Sequence, residues 1–557
     1  MTDRTTIADQ LVAQLVAAGA RHVYGIVGDS LNPVVDAVYR AAEQGAPLRW
    51  VHVRHEESAA LAAAAEAELT GRLGVCAGSS GPGSVHLLNG LYDAHRGRLP
   101  VLAIATAIVS SELGTEYFQE THVDRVFEDA SVYRQAVLNP AQATRVVRAA
   151  IHHAYGAPGV AVLGLPGDVG DLPASAPPPG LAPSTRPPVA PDAAQVRELA
   201  EAINAARRVT IFAGAGAAHA HDAVVALAGR LKAPVGHTLR GKEWIQYDNP
   251  FDVGMTGHLG YGACHDAMHG ADLLLMLGTD FPYDSYLPAE VPTAQVDSDP
   301  RRIGRRTRLD HGVVGDVGLT VAALLELVDE KPDHGFLDAM LDSHERAMTS
   351  LIGSTQAHAE AGDPVRPEEA VTALDEEAPD DTVFTVDTGL NCWWAARYLH
   401  AGARRRIIGS FHHGSMANAV PHAIAAAFAQ REGDLPSRHV VALSGDGGLS
   451  MLLGELITLV QHHLPVKVVV TDNATLGYVR LEMQAEGRPL VGVDSPAVDY
   501  AAIARAIGID AVRVTRPAEL RPALRHAFSH DGPALVDIAT DPGALPEPRQ
   551  PAAQHRD

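Results

Sequence analysis

The chain has 557 residues, of which 46% are hydrophobic and 20% charged, with a formal net charge of −23. That length exceeds what one hydrophobic core organises, so about two to four domains are expected. The acids are spread along the sequence and no basic run suits a phosphate backbone, which argues against nucleic acid as a partner.

Cys76, Cys264 and Cys392 lie far apart and form no metal-ligand or redox spacing, so they read as small buried apolar residues. The first five residues lack the charged-then-apolar profile of a signal peptide. The longest apolar runs, such as Val101 to Val109, are too short to span a bilayer. A cytoplasmic protein with no strong membrane anchor is expected, transient peripheral contact with a membrane being left open.

In chain order, residues 1–180 read as alternating strands and helices. Strands are expected at Val23–Val27, Leu48–Val53, Leu73–Ala77 and Val101–Thr106. Helices are expected at Leu31–Glu43, at the Ala-rich Glu56–Leu69, and from the Gly-Pro-Gly turn at Gly81 to about His95. A proline-rich stretch, Asp171 to Asp192, reads as an extended linker. A second unit, 190–335, carries strands at Val209–Ala213, Leu273–Leu277 and Ala294–Asp297, and a polar, mostly helical boundary runs from Asp329 to Gly362. A third unit, 360–545, repeats the logic of the first, with strands at Val383–Val386, Val440–Leu443, Val466–Val470 and Leu535–Ile538. Residues 541–557 form a Pro-rich polar segment, loosely packed or disordered in expectation, and 546–557 is read as a tail. Strands alternating with helices at this spacing imply an α/β protein of three doubly wound parallel-sheet domains.

The sharpest chemistry lies in the third unit. One strand ends in Ser444-Gly445-Asp446-Gly447-Gly448 and another in Thr471-Asp472-Asn473, with 27 residues from Asp446 to Asn473. That is the length of one strand-helix-strand crossover, so both loops fall at the carboxyl edge of one sheet. A carboxylate and an amide oxygen, with a backbone carbonyl and a diphosphate, fill a magnesium octahedron. The glycines let backbone N–H groups approach phosphates at a helix N-terminus. Alone, Gly-Asp-Gly would read as a tight turn; the pair at this spacing is far more specific.

The pair resembles the thiamine-diphosphate motif of the thiamine-dependent decarboxylases and oxidases. That pattern usually ends in two asparagines; Asp472 stands in the first place and Asn473 in the second. The resemblance implies Asp446, Asn473 and the main-chain oxygen of Thr475 as Mg2+ ligands, with Ala474, Leu476, Gly477, Tyr478 and Val479 beside the cofactor. It also implies a catalytic glutamate at a strand end in the first unit, where Arg54-His55-Glu56-Glu57 stands. Glu56 would share a proton with the pyrimidine, and Glu57 would serve structure. Taken alone, Glu56 also reads as an acid favoured by a helix N-terminus. Gly28, Ser80, Gly81 and Asn89 match the turns facing the cofactor. Gly414, Ser415 and Met416 match the segment on which it rests, and Phe118 and Gln119 match a catalytic segment reaching the substrate.

In the middle unit, Gly214-Ala215-Gly216 is by itself a weak signal. Together with Arg240-Gly241-Lys242-Glu243, Met255-Thr256-Gly257-His258, Gly278-Thr279-Asp280-Phe281-Pro282 and Val296-Asp297, it resembles the FAD-contacting segments of bacterial pyruvate oxidases of the quinone-reducing type. The resemblance covers roughly residues 4–540, and it places Tyr478 where electrons pass from thiamine to flavin. It implies oxidative decarboxylation of pyruvate or a similar small 2-oxo acid to acetate and CO2, electrons passing through FAD to a quinone or other acceptor. It further implies a homo-oligomer, a dimer of dimers, with sites between subunits. The Pro-rich last residues carry no apolar stripe, so no lipid-binding helix is expected. Two other readings stay open: an FAD-containing carboligase of the acetolactate synthase kind, and a non-catalytic regulator on the same fold.

Overall fold

The computed structural model describes residues 5–175, 187–361, 364–436 and 439–546. The first unit holds six strands, β1 (His22–Gly25), β2 (Arg49–His52), β3 (Gly74–Gly78), β4 (Val101–Ala107), β5 (Tyr133–Ala136) and β6 (Val160–Pro166). They form one parallel sheet in the order β2-β1-β3-β4-β6-β5. The middle unit holds β7 (Val209–Ala213), β8 (Val235–His237), β9 (Asp252–Met255), β10 (Tyr261–Gly262), β11 (Leu273–Leu277), β12 (Thr293–Asp297) and β13 (His311–Val314), in the order β10-β9-β8-β7-β11-β12-β13. The third holds β14 (Thr382–Val386), β15 (Arg406–Ile408), β16 (His439–Gly445), β17 (Val466–Asp472), β18 (Asp510–Val514) and β19 (Ala534–Ala539), all parallel, in the order β15-β14-β16-β17-β19-β18. The first and third sheets are therefore the same permutation of strands, and each unit has the doubly wound form expected.

Where the sequence and the structure differ, the reason is local. β5 and β18 are only partly buried and carry arginine and other polar residues, so they lack an apolar run. β8 and β15 are three residues long. The middle sheet departs from a wholly parallel arrangement at its edge, where the two-residue β10 folds back antiparallel on β9. The strand expected to reach Val27 stops at Gly25, and Val27 is exposed. The helix expected to run to His95 is two pieces, Pro82–His86 and Leu88–Gly97. Of the linker, residues 176–186 lie outside the described residues, as do 547–557 of the tail. Residues 187–192 and 541–546 are neither helix nor strand. The boundary stretch contains a long helix, Gly335–Ala361. Among the described residues no helix is long and apolar enough to cross a membrane.

The Ala-rich helix Glu56–Thr70 has no polar stripe because it has almost no polar side to face: Ala59 through Ala65 are all fully buried. It packs on its own sheet and on the helix Ala419–Arg431 of the third unit, equally Ala-rich and equally buried. Small side chains let two such helices approach closely between two sheets. A Cβ on Gly90 would sit 2.6 Å from Ala60 Cβ, so the helix Leu88–Gly97 packs as tightly against its other side. The first and third units thus share one continuous apolar core.

Candidate active site

Both outer sheets reverse strand order next to their first strand, between β1 and β3 and between β14 and β16. Open α/β sheets bind ligands at the carboxyl ends of strands at such points. The loop after β1 carries Gly28 and Ser30, and the loop after β3 carries Ser79 to Gly83. They meet closely: a Cβ on Gly28 would lie 2.7 Å from Ser79 Cβ, and Ser80 N donates to Ser30 Oγ at 2.9 Å. Ser80 Oγ donates to Gln119 Oε1 at 3.3 Å, and Gln119, with φ 63°, packs its side chain against Gly81. Phe118 on the same loop is 76% exposed and is not brought against the other expected residues.

Glu56 opens its helix after β2 and is buried. His55 is the N-cap, its Nδ1 accepting from Glu57 N at 3.1 Å. His86 Nδ1 lies 3.0 Å from Glu56 Oε2, and the His55 and His86 rings stack with centroids 4.5 Å apart. Glu56 Oε1 faces Gly83, where a Cβ would come within 3.0 Å of it. Sequence reasoning passes over His86, since a lone histidine has no spacing of its own. Asn89 itself is a clamp between units. Its Nδ2 donates to Glu57 Oε1 (2.7 Å) and Ser415 Oγ (2.8 Å), and its Oδ1 lies 2.8 Å from His413 Nε2. Glu57 thereby takes part in the contact between the two units.

In the third unit Asp446 follows β16 directly and is 5% exposed. Burial, aided by the neighbouring Asp472, pushes its carboxyl up to about 6. Tyr500, another residue the sequence reading misses, donates its hydroxyl to the Asp446 carbonyl at 3.1 Å. Asn473 follows β17; its Oδ1 accepts from Thr475 N at 3.1 Å, closing a turn in which Ala474 has φ 51°. Asp472, in the place where asparagine is usual, accepts from Arg513 Nη2 at 3.0 Å, so its charge is paired. The glycines are required by contact. A Cβ on Gly447 would lie 2.7 Å from Leu476 Cδ2 and 3.3 Å from Met416 Cε, and one on Gly448 only 1.9 Å from Asp387 Oδ2. Gly414 (φ 78°) and Ala417 (φ 66°) bracket Ser415 and Met416, which bring Met416 over this loop. Tyr478 is half-buried, 6.2 Å from the Trp393 ring, with Val479 partly exposed beside it. A buried carboxylate, an amide oxygen and the Thr475 carbonyl are hard donors that suit Mg2+.

The middle sheet reverses order between β7 and β11. Gly214-Ala215-Gly216 follows β7 and Gly278-Thr279-Asp280 follows β11; a Cβ on Gly216 would lie 2.6 Å from Gly278 Cα. Asp280 pairs with Arg305 and Arg306, and Phe281 stacks edge-on against Phe212. Pro282 is exposed. Val296 and Asp297 end β12; burial pushes the Asp297 carboxyl up. A cavity of about 380 Å³ is lined by Met255, Thr256, Gly257, Gly260, His265, Asp266 and Tyr286. His258 Nδ1 lies 3.3 Å from Tyr286 Oη. Thr256 Oγ1 is buried with no hydrogen-bond partner. Such an orphaned hydroxyl fits a ligand that carries polar atoms.

Residues 5–126 match the N-terminal TPP binding domain of thiamine pyrophosphate enzymes, residues 196–324 their central domain, and residues 387–538 their C-terminal TPP binding domain. Fold and site thus define a three-domain thiamine pyrophosphate enzyme, and the chain belongs to that family. YdaP of Bacillus subtilis (strain 168), whose name describes a thiamine pyrophosphate-containing protein, is 37% identical over 533 residues, covering 95% of this chain and 91% of that one. Pyruvate oxidase of Lactiplantibacillus plantarum is 32% identical over 549 residues, covering 96% and 89%. Acetolactate synthase large subunit of Parasynechococcus marenigrum is also 32% identical over 549 residues, covering 94% and 86%.

Proposed function

We propose that the protein oxidatively decarboxylates pyruvate, or a 2-oxo acid of similar size, passing electrons to FAD and on to a quinone or other acceptor. When bound, thiamine diphosphate supplies a carbon nucleophile and electron sink for the 2-oxo acid, and FAD a two-electron oxidant. Asp446, Asn473 and the Thr475 carbonyl would hold Mg2+ and with it the diphosphate, while Met416 and Leu476 close over the same loop. Glu56, oriented by His86, would hold the proton exchanged with the pyrimidine. The glycine loops after β7 and β11 and the Thr256 hydroxyl would hold FAD.

The observation that carries the oxidative reading is a set of aromatic rings between the third and middle units. Trp393 and Tyr478 stand at the third unit's cofactor loop. Burial pushes the Tyr478 phenol up to about 12. In the middle unit, Tyr283 packs on His258 at 4.6 Å and on Phe281 at 5.4 Å, among the segments that would hold FAD. Arg397 Nη2 donates to Gly260 O at 3.0 Å and fastens the two units there. Carboligation of the acetolactate synthase kind is the second reading, supported by relatives of that name at equal identity. Anaerobic mixing with pyruvate separates them. Bleaching of the flavin's visible absorbance, with acetate formed, is the expected outcome; acetolactate formed with the flavin unbleached would transfer the assignment to carboligation. A homodimer is the smallest active form in this reading, with the first unit of one subunit facing the third unit of its neighbour.

A further inference from the structure

Glu455 is fully buried yet lies nine residues beyond Asp446, at the start of the helix Glu455–Gln461. Its side chain does not serve its own helix alone. Oε1 crosses to the first unit and accepts from Arg54 N at 2.9 Å and His55 N at 3.0 Å, while Oε2 accepts from Thr458 Oγ1 at 2.7 Å. The two amides belong to the turn that delivers Glu56. The far end of the same helix grips that turn as well: Gln461 accepts from the Arg54 guanidinium, and His462 Nε2 lies 3.2 Å from His52 O. A Cβ on Gly454 would stand 3.6 Å from Arg54 Cβ, so the two backbones run close. A buried carboxylate held by backbone N–H groups has a fixed geometry, and what it holds is fixed with it.

We propose that Glu455 is a positioning residue for Glu56, tying the segment that carries the magnesium loop of a chain to the pyrimidine acid of the same chain. This rests on the reading of Glu56 given above. An acid placed only to favour its own helix would leave Glu56 indifferent to its length. A carboxylate that sets the height of residues 54 and 55 would not, since displacement by a fraction of an ångström moves the carboxyl out of line with the group it exchanges a proton with.

The test uses the full chain loaded with thiamine diphosphate and Mg2+, and reads hydrogen–deuterium exchange at the thiazolium C2 by quenched-flow NMR. Cofactor affinity is titrated alongside. Glu455→Asp retracts the carboxylate by one methylene and Glu455→Ala removes it; both are expected to slow exchange on the order of tenfold or more, with affinity within about twofold of wild type. Glu455→Gln, whose amide oxygen can accept the same two N–H groups, is expected to keep the wild-type rate. Wild-type exchange in Glu455→Asp and Glu455→Ala would overturn the proposal, as would loss of affinity in step with exchange, or a Gln variant as slow as the Ala variant. If Glu455→Ala does not fold, Glu455→Asp decides. Glu56→Gln is the control: wild-type exchange there would remove the Glu56 reading itself, whereas a dead Glu56→Gln beside unaffected Glu455 variants would remove only the positioning role.

Discussion

His86 Nδ1 and Glu56 Oε2 meet at 3.0 Å, across 30 residues of sequence and two helices of one unit. The imidazole fixes one carboxylate oxygen and leaves the other toward Gly83. Glu56→Gln should therefore keep the fold and the flavin while turnover falls on the order of a hundredfold or more. His86→Ala should lower kcat on the order of tenfold with a smaller change in KM, because it frees the acid rather than removing it. Steady-state kinetics with saturating thiamine diphosphate check both, and near-normal rates in Glu56→Gln would refute the assignment.

Asp446 and Asn473 sit at the ends of adjacent parallel strands, which brings their oxygens to one loop cluster. Asp446→Ala and Asn473→Ala should each abolish magnesium-dependent binding of thiamine diphosphate. FAD should remain in both, the segments proposed to hold it lying on another sheet. Calorimetric titration and the flavin spectrum read the two effects separately; unchanged thiamine diphosphate affinity would contradict the ligand assignment.

The parts of this site legible in the sequence are those whose chemistry demands particular residue types at a strand end. The Asp446–Asn473 pair, the glycines beside it and Glu56 are of that kind. His86, Tyr500 and Glu455 are not: each is an ordinary residue on a helix until another segment is folded against it. The grip of Glu455 on residue 54 spans 401 positions, which no periodicity records. The same holds for the fold. Central strands such as β7 and β11 are apolar runs and read out to their last residue, whereas β5, β15 and β18 are short or half-buried and take their form from neighbours.

His22 supplies a pH dependence. It is 1% exposed, with Nδ1 3.1 Å from Glu66 and Nε2 3.1 Å from Glu432 of the third unit. Burial alone would lower its pKa, but the hydrogen bonds to Glu432 and Glu66 prevail and raise it to about 9. A histidine whose folded value exceeds its usual 6.5 stabilises fully below that value, and the benefit is lost as pH rises through about 9. The contribution is about 3 kcal/mol. Unfolding midpoints should fall between pH 6.5 and 9 in the wild type, and Glu432→Gln should flatten that slope. Parallel slopes in the two proteins would count against it.

A mixed preparation tests the proposed arrangement of subunits. Glu56→Gln and Asp446→Ala chains, each inactive, should regain activity when mixed and reassembled, since one interface site of the hybrid would carry both wild-type residues. Full activity in a monomer by light scattering at assay concentration would rule the arrangement out.

The apolar core shared by the first and third units has a thermodynamic corollary. Neither Ala-rich helix can lose its neighbour without exposing a whole face of buried surface, and His22, Asn89 and Glu455 all cross the same boundary. The two units are consequently one cooperative block, although the entire middle unit separates them in sequence. Calorimetric transitions will then partition by shared packing and not by position along the chain. A nick between the first and middle units would leave the outer pair associated, the fragments held together as a noncovalent complex.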